Sequence, residues 1–267
     1  MLKLLLDRAD AVFAVAPLDG RSTVPNRSEQ TPGAGRGARL GTRLRGALAN
    51  AYQARGAGQS NLTFAYSAKA DMDVVLRSTL EFGHFLLCEG CSEITSVVYN
   101  GGLQPGIVDG RVVMTEFDAV VTMSSGMVEY REVKSSDELA DPESGRTDLQ
   151  LAAQAAIAVY EGGRHVVMTE REIFANEMLI RNWNRVLPWL AQVRDIPLDE
   201  HLNAVRRLVE SAGAICLADV VNLGEADESA VFGAAALKGV QTGLFVSDLG
   251  VRPFGEGTLI ASRSTRS

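Results

Sequence analysis

Two apolar runs separated by a short turn place the strongest constraint on how this chain folds. The runs are RVVMTEFDAVVTM (111–123) and MVEYREVKS (127–135), and the turn between them is SSG. β-branched residues are frequent in both runs, and two such runs joined by a short loop are typical of a β-hairpin. We therefore expect Asp118, Glu132 and Lys134 to lie close together on neighbouring strands.

The segments around this hairpin predict further strands and two helices. Apolar residues recur at helical spacing in DMDVVLRSTLEFGHFLLCEG, which predicts a helix from about residue 70 to 88. The runs ITSVVYN and GLQPGIVDG predict strands, and the polar residues 135–147 predict a loop. An alanine-rich helix, TDLQLAAQAAIAVYEGG, then ends at two glycines, and RHVVMTE predicts a last strand. This order favours an α/β fold in which helices pack on one mixed sheet.

The composition changes after residue 171, where the pattern becomes mainly helical. EIFANEMLIRNWNRVLPWL predicts a helix with a break near Pro188, and LDEHLNAVRRLVESAG, CLADVVNL and DESAVFGAAALKGVQTG predict further helices. LFVSDLGVRPFGEGTLIA predicts a terminal hairpin. Helices followed by a hairpin are typical of a winged helix-turn-helix. We therefore predict a basic arm at 1–60, an α/β domain at 61–171 and a winged-helix-like domain at 172–267.

Charge is distributed unevenly along the chain. Residues 1–60 carry nine Lys/Arg and four Asp/Glu, whereas residues 61–267 carry a net charge of −12. The arm, rich in Gly, Arg, Ser and Pro, is either a solvated tail or a contact to the DNA backbone. An acidic folded part argues against tight DNA binding without a partner. Charged residues interrupt the apolar start of the chain and the three cysteines are odd in number, so we expect a cytoplasmic protein without disulfides or membrane spans.

The charged residues of the hairpin suggest a metal site. Residues of the same parity share one face of a strand, so Glu132 and Lys134 point the same way and Val133 is buried on the other side. Two neighbouring carboxylates repel unless a cation lies between them, and such hard oxygen ligands select Mg²⁺ or Mn²⁺. A lysine beside the metal suits phosphodiester hydrolysis. The alternative is that alternating acid and base mark a solvated face.

The pattern Asp118…Glu132-Val133-Lys134 resembles the PD-(D/E)xK nuclease superfamily, although Glu116 and Phe117 stand where the motif has its proline. A narrower resemblance, over most of residues 70–250, is to TnsA, the endonuclease subunit of heteromeric transposases. STLEFGHF (78–85) is similar to that family's helix pattern S-x-L-E-x-x-F. DAVV (118–121) and EVK (132–134) are similar to its two strand motifs, and HVVMTEREI (165–173) to its R-x-V-T-E-R-E-I.

The resemblance implies a restriction-endonuclease-like fold and a function. Glu81, Asp118, Glu132 and Val133 would bind Mg²⁺ or Mn²⁺, and Lys134 would be the catalytic lysine. The nuclease would cut the 5′ ends of a mobile element, while a DDE-type transposase cuts and joins the 3′ ends. The partners would be transposon-end DNA, that transposase and an AAA+ regulator. A stand-alone restriction or repair nuclease and a non-cutting adaptor remain as alternatives.

Three weaker patterns have two interpretations each. His84, Cys88 and Cys91 share one helical face and could bind zinc. We prefer the interpretation that the cysteines are buried as small apolar residues. Gln150 and Gln154 could hold DNA, but we prefer the interpretation that they are amides on the polar face of a helix. The candidate recognition helix DESAVFGAAALKGVQTG has Lys238 as its one base, so we expect a docking module rather than a reader of DNA sequence.

Overall fold

The structure is a computed structural model that describes residues 62–140 and 145–263. The predicted arm over residues 1–60 lies outside these residues. Within them, the strands are β1 (Thr63–Ser67), β2 (Met72–Leu76), β3 (Ile94–Tyr99), β4 (Gln104–Val108), β5 (Arg111–Thr115), β6 (Ala119–Met123), β7 (Val128–Val133), β8 (Arg164–Met168), β9 (Ala214–Cys216), β10 (Phe245–Ser247) and β11 (Leu259–Ser262).

The helices of the described residues are α1 (Thr79–Gly90), α2 (Ser136–Ala140), α3 (Gly145–Tyr160), α4 (Glu170–Ile173), α5 (Glu177–Gln192), α6 (Asp199–Ala212), α7 (Leu217–Val221) and α8 (Ser229–Gln241). None of them is both long and apolar enough to cross a lipid bilayer. Together with the strands they form a mixed α/β architecture, in which several small sheets are flanked by helices.

A four-stranded mixed sheet in the order β3-β6-β7-β8 forms the centre of the first half of the chain. Strands β3, β6 and β7 are antiparallel, and β8 runs parallel to β7. Helix α1 packs on one face, where Arg131 of β7 contacts Cys88. Helix α3 packs on the other face, where Gln154 donates a hydrogen bond to Glu132. Helices therefore pack on a mixed sheet, as predicted, but this sheet does not include every predicted strand, because β4 and β5 form a sheet of their own. Strand β7 is covered on both sides.

The run RVVMTEFDAVVTM forms two strands rather than one. Its first half, β5, pairs with β4 in a separate hairpin, and its second half, β6, enters the central sheet. Asp109 and Gly110 make the turn of the separate hairpin, both with positive φ. The hairpin packs on α3 through Gly106, where the space for a side chain is already filled by Ala153. This close packing fixes the position of α3 over the sheet.

The predicted helix from about 70 to 88 is wrong in its first half. Met72–Leu76 is strand β2, which pairs with β1 over five residues, and Asp71 forms the turn with a φ of 49°. Helix α1 begins only after Ser78, whose hydroxyl accepts a hydrogen bond from the main-chain N–H of Glu81. Val74 and Leu76 are both buried in the main core, because alternate residues of a strand point to the same face. Strand pairing with β1 therefore prevails over the helical spacing of the apolar residues.

Two further predictions need correction. The loop expected over 135–147 contains α2, and α3 begins at Gly145. The break expected near Pro188 is absent, because α5 continues through this residue to Gln192. Proline removes one N–H from the helix, but Trp183, Leu187 and Trp189 are buried on either side of it. Their burial holds the helix in one piece.

The C-terminal part follows the order α6, β9, α7, α8, β10, β11, and its strands form a three-stranded sheet with β11 in the middle. The predicted terminal hairpin of β10 and β11 is confirmed. One apolar cluster includes Phe85 and Tyr99 from the first half and Trp183, Leu237 and Ile260 from the second. The domain boundary at 171/172 stays a prediction, and the buried core continues across it.

A buried polar cluster also joins the two halves. The carboxylate of Glu89, at the end of α1, accepts hydrogen bonds from Ser67 Oγ at 2.5 Å and from Gln241 Nε2 of α8 at 2.7 Å. Lys238, the one base in the candidate recognition helix, donates to the main-chain oxygen of Ala68 at 2.9 Å. This lysine is therefore occupied within the protein.

Replacing Gly106 by Ala should loosen the contact between the β4–β5 hairpin and α3. A Cβ at this position would lie 2.8 Å from the main-chain oxygen of Ala153, which cannot rotate away. We expect the free energy of unfolding in urea to fall by about 1–3 kcal/mol. Gly101→Ala is the matched control, because nothing lies within 4 Å of its Cβ. Equal unfolding midpoints for the two variants would contradict the packing described here.

Candidate active site

The pairing of β6 with β7 sets the geometry of the candidate site. Ala119 is the partner of Arg131, so Asp118, one residue earlier, lies opposite Glu132. The carboxylate of Asp118 accepts a hydrogen bond from the main-chain N–H of Val133, with 2.7 Å between Oδ2 and N. The structure thus brings together the two acids that the sequence places 14 residues apart.

Glu132 is almost fully buried, with 3% of its surface exposed, and two amides hold it. Gln150 Nε2 donates to one carboxylate oxygen at 3.0 Å, and Gln154 Nε2 donates to the other at 2.7 Å. Gln154 also donates to the main-chain oxygen of Glu116 and is itself fully buried. The polar face of α3 that carries these amides is therefore turned toward the acid, with Gln154 fully buried and Gln150 half-buried.

Lys134 lies directly after β7, and its side chain is 16% exposed. Its Nζ is 3.2 Å from Glu132 Oε1 and 3.1 Å from Glu138 Oε1 on α2. Burial alone would lower the pKa of this lysine, but the attraction of the two carboxylates outweighs it and raises the pKa. Lys134 therefore carries a positive charge beside the buried acid.

Val133 points to the opposite face of the sheet, as its parity predicts. Its side chain packs in a small apolar cluster with Met168 and Ile173. A valine can bind a cation only through its main-chain oxygen, so the predicted role of Val133 as a metal ligand concerns that atom.

Glu81 comes from the other side of the sheet, on the first turn of α1. Its Oε2 accepts a hydrogen bond from the main-chain N–H of Arg77 at 2.8 Å. Burial raises the pKa of Glu81, and the nearby charge of Glu132 adds to the rise. Glu81 is thus close enough to sense Glu132, although its carboxylate is engaged near the start of its own helix.

The pKa of Asp118 is raised from 3.8 to about 8. Burial is the main cause, followed by the negative charges of Glu132 and Glu81. Three acids that disfavour one another's ionisation form a site in which a positive charge would be stabilised. Such mutually perturbed carboxylates are more frequent at functional sites than elsewhere.

A cleft of about 430 Å³ opens beside the acids. Its lining residues are Arg77, Asn100, Leu103, Val113, Met114, Thr115, Glu116, Asp118, Glu132, Leu149 and Gln150. Asp118 and Glu132 therefore face a space that is large enough for a ligand, whereas Glu81 and Lys134 lie outside this lining.

The donors of this cleft suit a magnesium-like cation. Within residues 62–140 and 145–263, no group of three or more His, Cys, Asp or Glu side chains is arranged so that it could hold a metal ion, so Glu81 does not form a three-acid ligand set with Asp118 and Glu132. Mg²⁺, however, is usually held by one or two carboxylates together with water and substrate phosphate. Asp118 and Glu132 supply two hard oxygen donors at an open cleft, which fits that mode of binding.

The second candidate metal group, on α1, has another explanation. Cys88 is fully buried in the main core, as preferred from the sequence. Burial raises the pKa of its thiol to about 12 and lowers the pKa of His84 to about 3, so both groups are neutral. Arg131 Nη1 lies 3.5 Å from His84 and 3.6 Å from Cys88 Sγ. A permanent cation in this position disfavours a second one.

Sequence reasoning missed the role of four contributors to the site, of which it considered Gln150 and Gln154 only as possible DNA contacts. Gln154 and Gln150 are spaced four residues apart, the spacing that puts two side chains on one helical face. Glu138 follows Lys134 by four residues, and Arg77 precedes the α1 N-cap. The helical spacing of the two glutamines was the one available signal, and it gains meaning only when α3 is placed over the sheet.

In comparisons with protein-family models and with curated proteins, nothing matches this chain.

Asp118→Asn tests whether this acid is protonated in the folded protein. A carboxyl whose pKa is higher when folded binds more protons in that state, so stability falls as the pH rises between the unfolded and folded values. For the wild type this range runs from 3.8 to about 8. Asparagine does not ionise, and its side-chain oxygen can still accept from Val133.

We expect urea unfolding in EDTA to show a smaller loss of stability for Asp118→Asn than for the wild type across this pH range. The difference between the two proteins should be on the order of a few kcal/mol at the alkaline end, since a tenfold change in protonation corresponds to about 1.4 kcal/mol. Parallel pH profiles would show that the carboxyl titrates normally.

Proposed function

We propose that this protein is a divalent-metal-dependent DNA endonuclease that acts as the nuclease subunit of a heteromeric transposase. The observation that carries the proposal is the pair Asp118 and Glu132, which face one cleft with Lys134 beside them. Mutual repulsion of the acids, an adjacent ammonium group and an open cleft suit phosphodiester hydrolysis. The resemblance of four sequence segments to TnsA supports the specific role in transposition.

Asp118, Glu132 and the main-chain oxygen of Val133 would hold Mg²⁺ or Mn²⁺, with Glu81 as a further carboxylate nearby. When bound, the cation would stabilise the negative charge of a phosphate oxygen. Gln150 and Gln154 fix the orientation of Glu132 through both carboxylate oxygens. Lys134 supplies a positive charge that can orient a water molecule or stabilise charge at the phosphorus.

Two aspects of the fold support the finer assignment. A mixed sheet carries the acids on neighbouring strands with a helix on each face, an arrangement that suits a restriction-endonuclease-like core. The order helix, strand, two helices and hairpin from α6 to β11 suits a winged helix. Lys238, the one base of the candidate recognition helix, donates hydrogen bonds to the main-chain oxygen of Ala68 and to Gln241 and is not free to contact DNA. We therefore assign the C-terminal part to partner docking.

A partner explains how an acidic nuclease reaches its DNA. Residues 61–267 carry a net charge of −12, which opposes binding to the phosphate backbone. In the proposed complex, a DDE-type transposase recognises the transposon ends and an AAA+ regulator controls assembly. The nuclease then needs only local contacts to the strand that it cuts.

Binding of Mn²⁺, followed by electron paramagnetic resonance in the absence of DNA, tests the metal site directly. We expect the wild type to bind, and Asp118→Asn and Glu132→Gln each to weaken binding by about tenfold or more, because each removes one anionic ligand. Asp109→Asn removes an acid at the turn of the β4–β5 hairpin, away from the cleft, and should bind like the wild type. Equal affinities for all four proteins would argue against this site.

Lys134→Ala tests catalysis. With Mg²⁺, a DDE-type transposase partner and element-end DNA, we expect this variant to lose 5′-strand cleavage by at least about 100-fold while the complex still assembles. Arg111→Ala, an exposed cation at the start of β5 and outside the proposed docking part, is the control and should cut normally. The measurements are strand-specific cleavage on sequencing gels and co-elution of the complex.

The same assay separates the alternatives. Efficient cutting of plain duplex DNA by the chain alone would favour a stand-alone nuclease. An unchanged product pattern for Lys134→Ala in the full complex would favour an adaptor that does not cut.

A further inference from the structure

The lining of the cleft contains two unused hydrogen-bond groups besides the acids. Arg77 Nε and Thr115 Oγ1 are both buried, and neither has a hydrogen-bond partner among the described residues. Both residues line the cleft that also contains Asp118 and Glu132. A buried polar group without a partner is costly and rare in a folded protein. Two of them at one cleft indicate that a ligand completes their bonding.

The chemistry of these two groups selects an anion. A guanidinium group donates only, and its planar fork matches two oxygens of a phosphate or carboxylate. The hydroxyl of Thr115 can add a third donor. Most of the cleft's other charges are negative, so an anionic ligand needs a local cation to enter. Arg77 is the one arginine or lysine among the residues that line the cleft.

The position of Arg77 is fixed by its own main chain. Its N–H donates to Glu81, and the following residue, Ser78, caps α1. The side chain therefore starts from a rigid point at the junction of β2 and α1. A side chain anchored in this way loses little freedom when it binds, which favours recognition of a ligand.

We propose that Arg77 and Thr115 bind a phosphate of the DNA strand that occupies the cleft, next to the phosphate at the acids. This inference rests on the proposed function and names the substrate contact of the same site. The contact would be to the sugar–phosphate backbone and would not depend on base sequence. It provides the positive wall that an acidic nuclease needs in order to hold its substrate.

The test is the binding of a fluorescent single-stranded oligodeoxynucleotide, measured by anisotropy in EDTA over a range of salt concentrations. We expect Arg77→Gln to weaken binding by about tenfold, as for the loss of a charged hydrogen bond. The slope of log affinity against log salt should become shallower by about 0.7, the value for one phosphate contact on a single strand. Arg111→Gln removes an exposed charge at the β4–β5 turn and should change both quantities much less.

Thr115→Val provides a second variant that does not depend on charge. Valine fills the same space and removes a hydroxyl that has no partner in the free protein, so the free energy of unfolding should stay equal or rise. Oligonucleotide binding should nevertheless weaken severalfold. Arg77→Lys should bind with intermediate affinity, because it keeps the charge and loses the fork.

Several results would overturn the inference. One is that Arg77→Gln and Thr115→Val bind the oligonucleotide with the same affinity and the same salt dependence as the wild type. Another is that the wild type does not bind the oligonucleotide at low salt. Inorganic phosphate could compete with the oligonucleotide in the wild type but not in Arg77→Gln, while both proteins bind the oligonucleotide equally well. That result would assign the site to free phosphate and would also overturn the inference.

The proposed function can fail separately. The full complex could fail to cut DNA while Arg77→Gln still binds the oligonucleotide more weakly and with a shallower salt dependence. In that case the backbone contact stands and the nuclease assignment fails. If Lys134→Ala loses cleavage while Arg77→Gln behaves like the wild type, the nuclease assignment stands and this inference fails.

Discussion

The register of one antiparallel strand pair determines the rest of the site. Because Ala119 pairs with Arg131, Asp118 and Glu132 lie opposite each other and on the same face. A slip of one residue would turn either side chain to the opposite face. The hydrogen bond from the Val133 N–H to Asp118 continues the pairing beyond the last strand residue. The α3 side of β7 thus carries the acids, and the α1 side carries the apolar core.

The cleft concentrates interactions that a purely structural region would avoid. Burial and repulsion raise the pKa of Asp118, while two amides and Lys134 surround Glu132. Exceptions to good local bonding in a folded protein tend to cluster where a ligand binds. The unpartnered groups of Arg77 and Thr115 in the same lining belong to this pattern, so a single cleft contains both the repelling acids and the donors without partners.

The sequence was informative where local periodicity decides the structure. Alternation along β7 correctly placed Val133 on the face opposite Glu132, and the glycines after α3 marked its end. Strand β2 was missed because Val74, Val75 and Leu76 suit a helix or a strand until β1 is known. The role of Gln154 could not be predicted from one helix, since it depends on how Gly106 seats α3 over the sheet. Burial around Pro188 is likewise a property of the tertiary structure.

The parallel pairing of β7 with β8 has a consequence for how the molecule is made. These strands are adjacent in space but separated by α2 and α3 in the chain, and contacts of this kind form late because a long loop must close first. During translation, β7 leaves the ribosome well before its neighbour β8 has been synthesised. The strand that carries Glu132 therefore gains its second sheet neighbour only after the nascent chain has extended past Met168, so biosynthesis itself delays completion of the sheet beneath the acids.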